Sequence, residues 1–139
     1  ALAGRAAEAN GVAARCVFQR GDAFAELARL AREGRRFGVV VADPPAFVKA
    51  RKDLGSGRRG YRKLSRLAAP LVEPGGFLFV ASCSHPIEPG MLLAEVVHGV
   101  AAAGRGGRII RQAGAGPDHP IHLHLPETAY LKTLLLQLD

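Results

Sequence analysis

The sequence predicts an α/β domain on a mostly parallel sheet with an antiparallel terminal strand, and three observations predict it. Short apolar runs, Phe37–Ala42 and Phe77–Ala81, each stop at polar or proline residues, as strands buried on both faces do. Segments with apolar residues at helical spacing separate these runs, so strands and helices alternate. The last two strand-like segments, Arg108–Gln112 and Tyr130–Leu138, have only a loop between them and read as a β-pair.

Taken in order, Ala1–Asn10 is alanine-rich helix material stopped by Asn10-Gly11. Arg15–Arg20 reads as a short strand and Gly21 turns the chain. Asp22 is the expected N-cap of a helix to about Glu33, whose Phe24, Leu27, Ala28, Leu30 and Ala31 repeat at core-facing spacing. Phe37–Ala42 is the next strand. It ends at Asp43-Pro44-Pro45, where two residues without an N–H cannot continue a ladder. The Asp43 carboxylate is thereby left at the carboxyl end of a strand, where open α/β sheets place their ligand crevices.

Val48–Gly60 is expected to be a basic, glycine-rich loop, followed by a helix over Tyr61–Val72 in which Pro70 distorts the last turn. Glu73–Gly76 turns the chain into the strand Phe77–Ala81, which runs out into Ser82-Cys83-Ser84-His85-Pro86. Pro89–Ala103 reads as a helix and residues 113–126 as a loop holding three histidines. In this arrangement Asp22, Asp43 and Cys83 each follow the carboxyl end of a strand and should line one edge of the sheet.

Composition limits the function classes. The chain of 139 residues allows one domain, with ordinary shares of apolar (48%) and charged (22%) residues. No apolar run approaches the roughly 18–20 residues of a membrane span, and the opening ALAGRAAEANGVAAR lacks the apolar core of a signal peptide. Cys16 and Cys83 have no CxxC or CxxH partner, so neither a disulfide scaffold nor a zinc site is expected, and a reducing, cytoplasmic setting is. His122 and His124 share a face but lack a third ligand at metal spacing, so no metal is expected. The chain starts at Ala1 in mid-helix composition, which reads as the back portion of a longer protein.

The net charge of +7 is concentrated. Lys49, Arg51, Lys52, Arg58, Arg59, Arg62, Lys63 and Arg66 fall within eighteen residues, opposed only by Asp53. Such a patch is either a grip for a polyanion such as RNA or a solvated face, and its position beside Asp43 favours the grip.

RGDAF, VVVADPPAF, LVEPGGFLFVASCSH, and DHP followed by LPETAYLK together resemble the class I S-adenosylmethionine-dependent methyltransferases. Within that family they are similar to the RNA 5-methylcytosine methyltransferases of the bacterial 23S ribosomal type, over essentially the whole chain. The resemblance implies a Rossmann-like sheet, S-adenosyl-L-methionine as cofactor and ribosomal RNA as partner. It places Asp22 and Ala23 at the adenine edge, Asp43 and Pro44 at the junction of methyl donor and target base, and Cys83 as nucleophile. The family's glycine-rich cofactor loop, its ribose-holding acid and its first strands would lie upstream of Ala1. On this reading residues 1–139 are a partial catalytic domain with unpaired strand edges, and a homodimer is one remedy.

The chemistry fits these residue types. C5 of cytosine is a poor nucleophile until a thiolate adds to C6 and makes C5 enamine-like. Cys83, in a polar Ser-Cys-Ser beside the basic patch, suits that role, whereas Cys16 reads as a small buried hydrophobe. Asp43 would hydrogen-bond the base near N3 and N4. His85 and His119 are candidates for the base that takes the C5 proton. Lys49, Arg51, Lys52, Arg58 and Arg59 would grip phosphates, with Phe47 and Tyr61 stacking on the target base. Two other readings stay open: methylation of a guanine or adenine nitrogen, which needs no cysteine, and a non-catalytic RNA-binding module.

Overall fold

In the computed structural model, residues 2–139 are described; Ala1, where the expected first helix begins, lies outside the described residues. Helices α1 (Leu2–Ala9), α2 (Ala23–Arg32), α3 (Leu54–Ala68) and α4 (Pro89–Ala102) intersperse with strands β1 (Phe37–Ala42), β2 (Val72–Ser82), β3 (Gly107–Ala113) and β4 (Lys132–Leu138). The strands form one sheet in the order β1-β2-β4-β3. β1 and β2 are parallel, and β4 is antiparallel to both of its neighbours. Three strands therefore run one way and the terminal strand alone opposes them, as the sequence predicts. β4 enters between β2 and β3, and its Lys132, Leu134, Leu136 and Leu138 alternate inward.

The core lies on one side of this sheet. Leu78, Val80, Leu134 and Leu136 pack with Tyr61, Leu64 and Ala68 of α3 and Leu92, Val96 and Val100 of α4. The other face of β1 is open: Val39 and Val41 are 60% and 65% exposed. The expectation that Phe37–Ala42 is buried on both faces is thus corrected. A continuous apolar run reads the same whether one face or two is covered. Among the described residues no helix is long and apolar enough to cross a membrane.

Two further expectations are corrected. Arg15–Arg20 forms no strand: Ala13–Arg15 is a 3-10 turn, the following residues are irregular, and Val17 and Phe18 are exposed. β propensity makes a strand only where a neighbouring ladder takes up its backbone groups, and this segment pairs with none of the four strands. Cys16 is consequently half-buried outside any strand.

The predicted loop over Val48–Gly60 is helical from Leu54 onward. Its glycines provide clearance. Gly57, Tyr61, Leu64, Ser65 and Ala68 form the buried stripe of α3, and a Cβ on Gly57 would collide with the Val48 side chain and stand 2.9 Å from the Phe47 carbonyl oxygen. Each mid-helix glycine costs about 1 kcal/mol of propensity, which close packing offsets. Downstream, Pro70 turns the end of α3 into the 3-10 turn Ala69–Leu71, as expected.

Gly99 plays the matching part on α4. A Cβ there would lie 2.5 Å from the Arg62 carbonyl oxygen and 2.8 Å from the Ser65 side chain. Gly99→Ala is expected to lower stability by about 1–3 kcal/mol through overpacking of the α3–α4 seam. A denaturant midpoint equal to that of the parent would contradict the close approach.

Candidate active site

β1 and β2 are parallel neighbours with Ala42 level with Val80. Each strand therefore delivers its last residues to the same edge, Asp43 just past β1 and Cys83 just past β2. Asp43 is exposed and Cys83 half-buried.

A buried polar network fixes the two segments to each other. Ser82 donates to the Tyr61 hydroxyl at 2.7 Å, that hydroxyl pairs with Ser84 Oγ at 2.9 Å, and Ser84 Oγ accepts from the Val48 N–H at 3.1 Å. The Ser84 N–H returns to Ser82 Oγ at 3.3 Å. Both serines and Tyr61 are fully buried. The serines flanking Cys83 thus look inward and fix the backbone on both sides of the half-buried Cys83, while Val48 ties the Asp43–Phe47 segment to the same frame. Tyr61, expected to stack on a base, is a frame residue instead. Its burial follows from its place on the inner stripe of α3.

Asp22, Ala23, Asp43, Pro44 and Phe47 share a cleft of about 520 Å³ between the start of α2 and the end of β1. Asp22 caps α2, its Oδ1 accepting the Ala25 N–H at 2.9 Å. It reaches this edge from an irregular segment, since the strand expected before it is absent. Cys83 lies outside the lining of the cleft. Phe47 is half-buried, 4.9 Å from the Tyr61 ring and 6.1 Å from the Phe24 ring, centroid to centroid. It forms a wall of the cleft, held in place by its neighbours.

The basic residues divide into two sets. Arg58 and Arg62 donate to the two oxygens of buried Glu95 at 2.8 and 2.7 Å, joining α3 to α4. Burial alone would push the Glu95 carboxyl up, but the hydrogen bonds from Arg62 and Arg58 outweigh it and hold the group below its ordinary range. Arg58, expected to grip phosphate, is therefore first a structural cation. Lys49, Arg51, Lys52 and Arg59 are exposed and have no ion pair among the described residues.

His85 and His119 lie against one ring, 5.4 and 5.7 Å from the Tyr130 centroid. Sequence reasoning missed Glu95 and Lys132. Glu95 sits at an inward position of α4, which was a readable signal. Lys132 ends the motif LPETAYLK, but its burial depends on β4 entering the middle of the sheet.

No family model matches the chain. The chain is 35% identical over 137 residues to the ribosomal RNA large subunit methyltransferase I of Aeromonas salmonicida, covering 98% of this chain and 35% of that protein. It is 36% identical over 122 residues to the protein of the same name from Pseudoalteromonas atlantica, covering 87% of this chain and 31% of that one. The chain thus spans about a third of the length of the curated relatives it matches. Among solved structures, TrmN from Thermus thermophilus superposes with a TM-score of 0.55 at 22% identity, over 98% of this chain and 32% of that one. SMU.776, crystallised in complex with SAH, gives a TM-score of 0.67 at 16% identity, over 84% and 30%. Sequence relationship and sheet architecture agree: nearly the whole chain is similar to about a third of the ribosomal RNA large subunit methyltransferases, and its fold is shared with solved methyltransferases.

Proposed function

We propose that this chain carries the base-binding and nucleophile part of an S-adenosylmethionine-dependent RNA methyltransferase acting on C5 of cytosine, with ribosomal RNA as substrate and the cytoplasm as its setting. The observation that carries the reading is the frame Ser82–Tyr61–Ser84–Val48, which presents Cys83 and the Asp43-Pro44 turn at one sheet edge. The names of the relatives support the RNA substrate. The remaining grip on the cofactor is assigned to segments that the relatives carry outside the aligned third.

The cleft fits the cofactor's adenine end. Phe24, Leu27, Val40 and Pro44 give it apolar walls for a flat ring, with Asp22 and the start of α2 at its rim. Asp22 and Ala23 would hold the ring edge, and Asp43 and Pro44 would face the sulfonium side. When bound, S-adenosylmethionine supplies an electrophilic methyl group. The chain's own residues do the rest. The Cys83 thiolate adds to C6 of the cytosine as N3 takes up a proton, so the ring loses its aromaticity and C5 gains nucleophilic character. Once C5 carries the methyl group, loss of the C5 proton to a base, His85 or His119, expels the thiolate and restores the ring. Asp43 orients the base through N3 and N4, and Phe47 closes the side of the pocket.

RNA carrying 5-fluorocytosine at the target position tests the reading, because fluorine at C5 blocks the elimination that frees the enzyme. A covalent complex formed through Cys83 is the expected result. Methyl transfer without any adduct would instead favour a base-nitrogen methyltransferase, and RNA binding without transfer a non-catalytic module. Two copies paired at the open edge of β1 belong to the same proposal, with a dimer mass in light scattering as the expected result.

The free cations give a second test. Replacing Lys49, Arg51, Lys52 and Arg59 by alanine is expected to weaken RNA binding and flatten its salt dependence, by about 0.7–0.9 in the log–log slope for each phosphate no longer neutralised. An unchanged slope would remove these residues from the RNA surface.

A further inference from the structure

Lys132 is the one lysine buried among the described residues, at 8% exposure, and no carboxylate lies within ion-pair distance of it. A buried ammonium without a counter-charge is costly, so its retention calls for a partner. Its Nζ donates to the Ser84 carbonyl oxygen at 2.6 Å, and in the ladder Lys132 stands opposite Ser82. The side chain therefore runs from β4 along the end of β2, and its charge reaches the carbonyl of Ser84, one residue past Cys83.

We propose that Lys132 is the positioning residue of the nucleophile: its ammonium anchors the carbonyl of Ser84, the residue after Cys83, and is the counter-charge of the Cys83 thiolate. The thiol loses its proton to solvent, and the resulting negative charge completes the pair that the buried ammonium otherwise lacks. Burial pushes the Lys132 ammonium down from its ordinary range and the nearby Cys83 pulls it back up, the direction expected of such a pair.

The other titratable groups around this pair are few. His85 follows on the Cys83 segment and lies against Tyr130, which His119 also touches. Tyr61 of α3 bonds the flanking serines. Asp43 and Lys49 flank the segment that Val48 ties to Ser84. Glu88 and Glu127 line the same cavity as Lys132 but form no ion pair with it. Lys132 is the group among these that is both buried and bonded to the backbone carbonyl of Ser84.

The proposal rests on the reading of Cys83 as nucleophile only for its catalytic meaning; the coupling itself is measurable without turnover. Iodoacetamide labelling of both thiols is followed against pH by peptide mass spectrometry, with Cys16 as the internal reference. Lys132→Met is expected to move the Cys83 profile to higher pH and slow its alkylation at pH 7 about tenfold, an upward shift of about one pH unit. Lys132→Arg is expected to restore most of the rate, and Cys16 to be unaffected in both. Coincident Cys83 profiles in parent and Lys132→Met would overturn the proposal.

If Lys132→Met does not fold, the parent protein provides the reciprocal measurement. The Lys132 side-chain NMR signal is titrated before and after alkylation of Cys83, and removal of the thiolate is expected to lower the lysine's midpoint. An unmoved midpoint would also overturn the proposal. If Cys83→Ser leaves methyl transfer intact while the coupling is observed, the functional reading falls and the coupling stands. If Cys83→Ser abolishes transfer and no coupling is found, this inference falls alone.

Discussion

Cys83→Ala in the protein as it occurs in the cell is expected to cut methyl transfer by on the order of 10³-fold or more, because in the proposed cytosine-5 reaction Cys83 is the group that adds to C6. Cys83 is half-buried and its flanking serines carry the hydrogen bonds of the frame, so the variant should keep its stability and its affinity for RNA. The expected pattern is thus a loss in kcat with little change in KM, together with loss of the 5-fluorocytosine adduct. Tyr61→Phe is the informative contrast. It keeps the thiol but removes the hydroxyl that joins Ser82 to Ser84, so it should loosen the placement of Cys83 and cost stability as well as rate. A Cys83→Ala enzyme with parental kcat would end the cytosine-5 reading.

Glu95→Ala carries the second large effect, on stability. The carboxylate is buried, and each oxygen takes a hydrogen bond from a different arginine of α3. Removing it unties the α3–α4 seam and leaves two cations over a void. Arg58 and Arg62 are half-exposed and can turn to water, so the cost should fall below that of a fully buried pair, at about 2–3 kcal/mol.

The pH dependence of this stabilisation has a definite sign. The folded carboxyl is held below its ordinary range, so its contribution is complete above the unfolded value of about 4.3 and is lost as pH falls through the lower folded value. Acid titration of Glu95→Ala should therefore show a shallower loss of stability in that window than the parent. Equal slopes would remove Glu95 from the acid response. The same variant frees Arg58 and Arg62, so RNA binding should be held or strengthened even as the fold weakens. That outcome would separate their structural role from a direct grip on phosphate.

How much of this site was readable in advance depended on how local its cause is. The Asp43-Pro44-Pro45 stop could be placed correctly because the missing N–H of proline is a property of one residue. Asp22 as a helix cap and Pro70 as a helix disturbance are of the same kind. The burial of Tyr61 and the helical start at Leu54 were less accessible. Glycines at 55, 57 and 60 look like loop residues until Phe47 and Val48 are seen resting on the last two.

The chain by itself determined the alternation of strands and helices from α2 onward, the carboxyl ends of β1 and β2, and hence the edge shared by Asp43 and Cys83. Periodicity and proline chemistry are written in neighbouring residues and need no tertiary information. The tertiary structure decided which face of β1 is covered, which arginines are bound to Glu95, and that β4 enters between β2 and β3. That insertion brings Lys132, far from Ser82 in sequence, to the Ser84 carbonyl beside Cys83. Pairings across such distances depend on strand order, which no local pattern records.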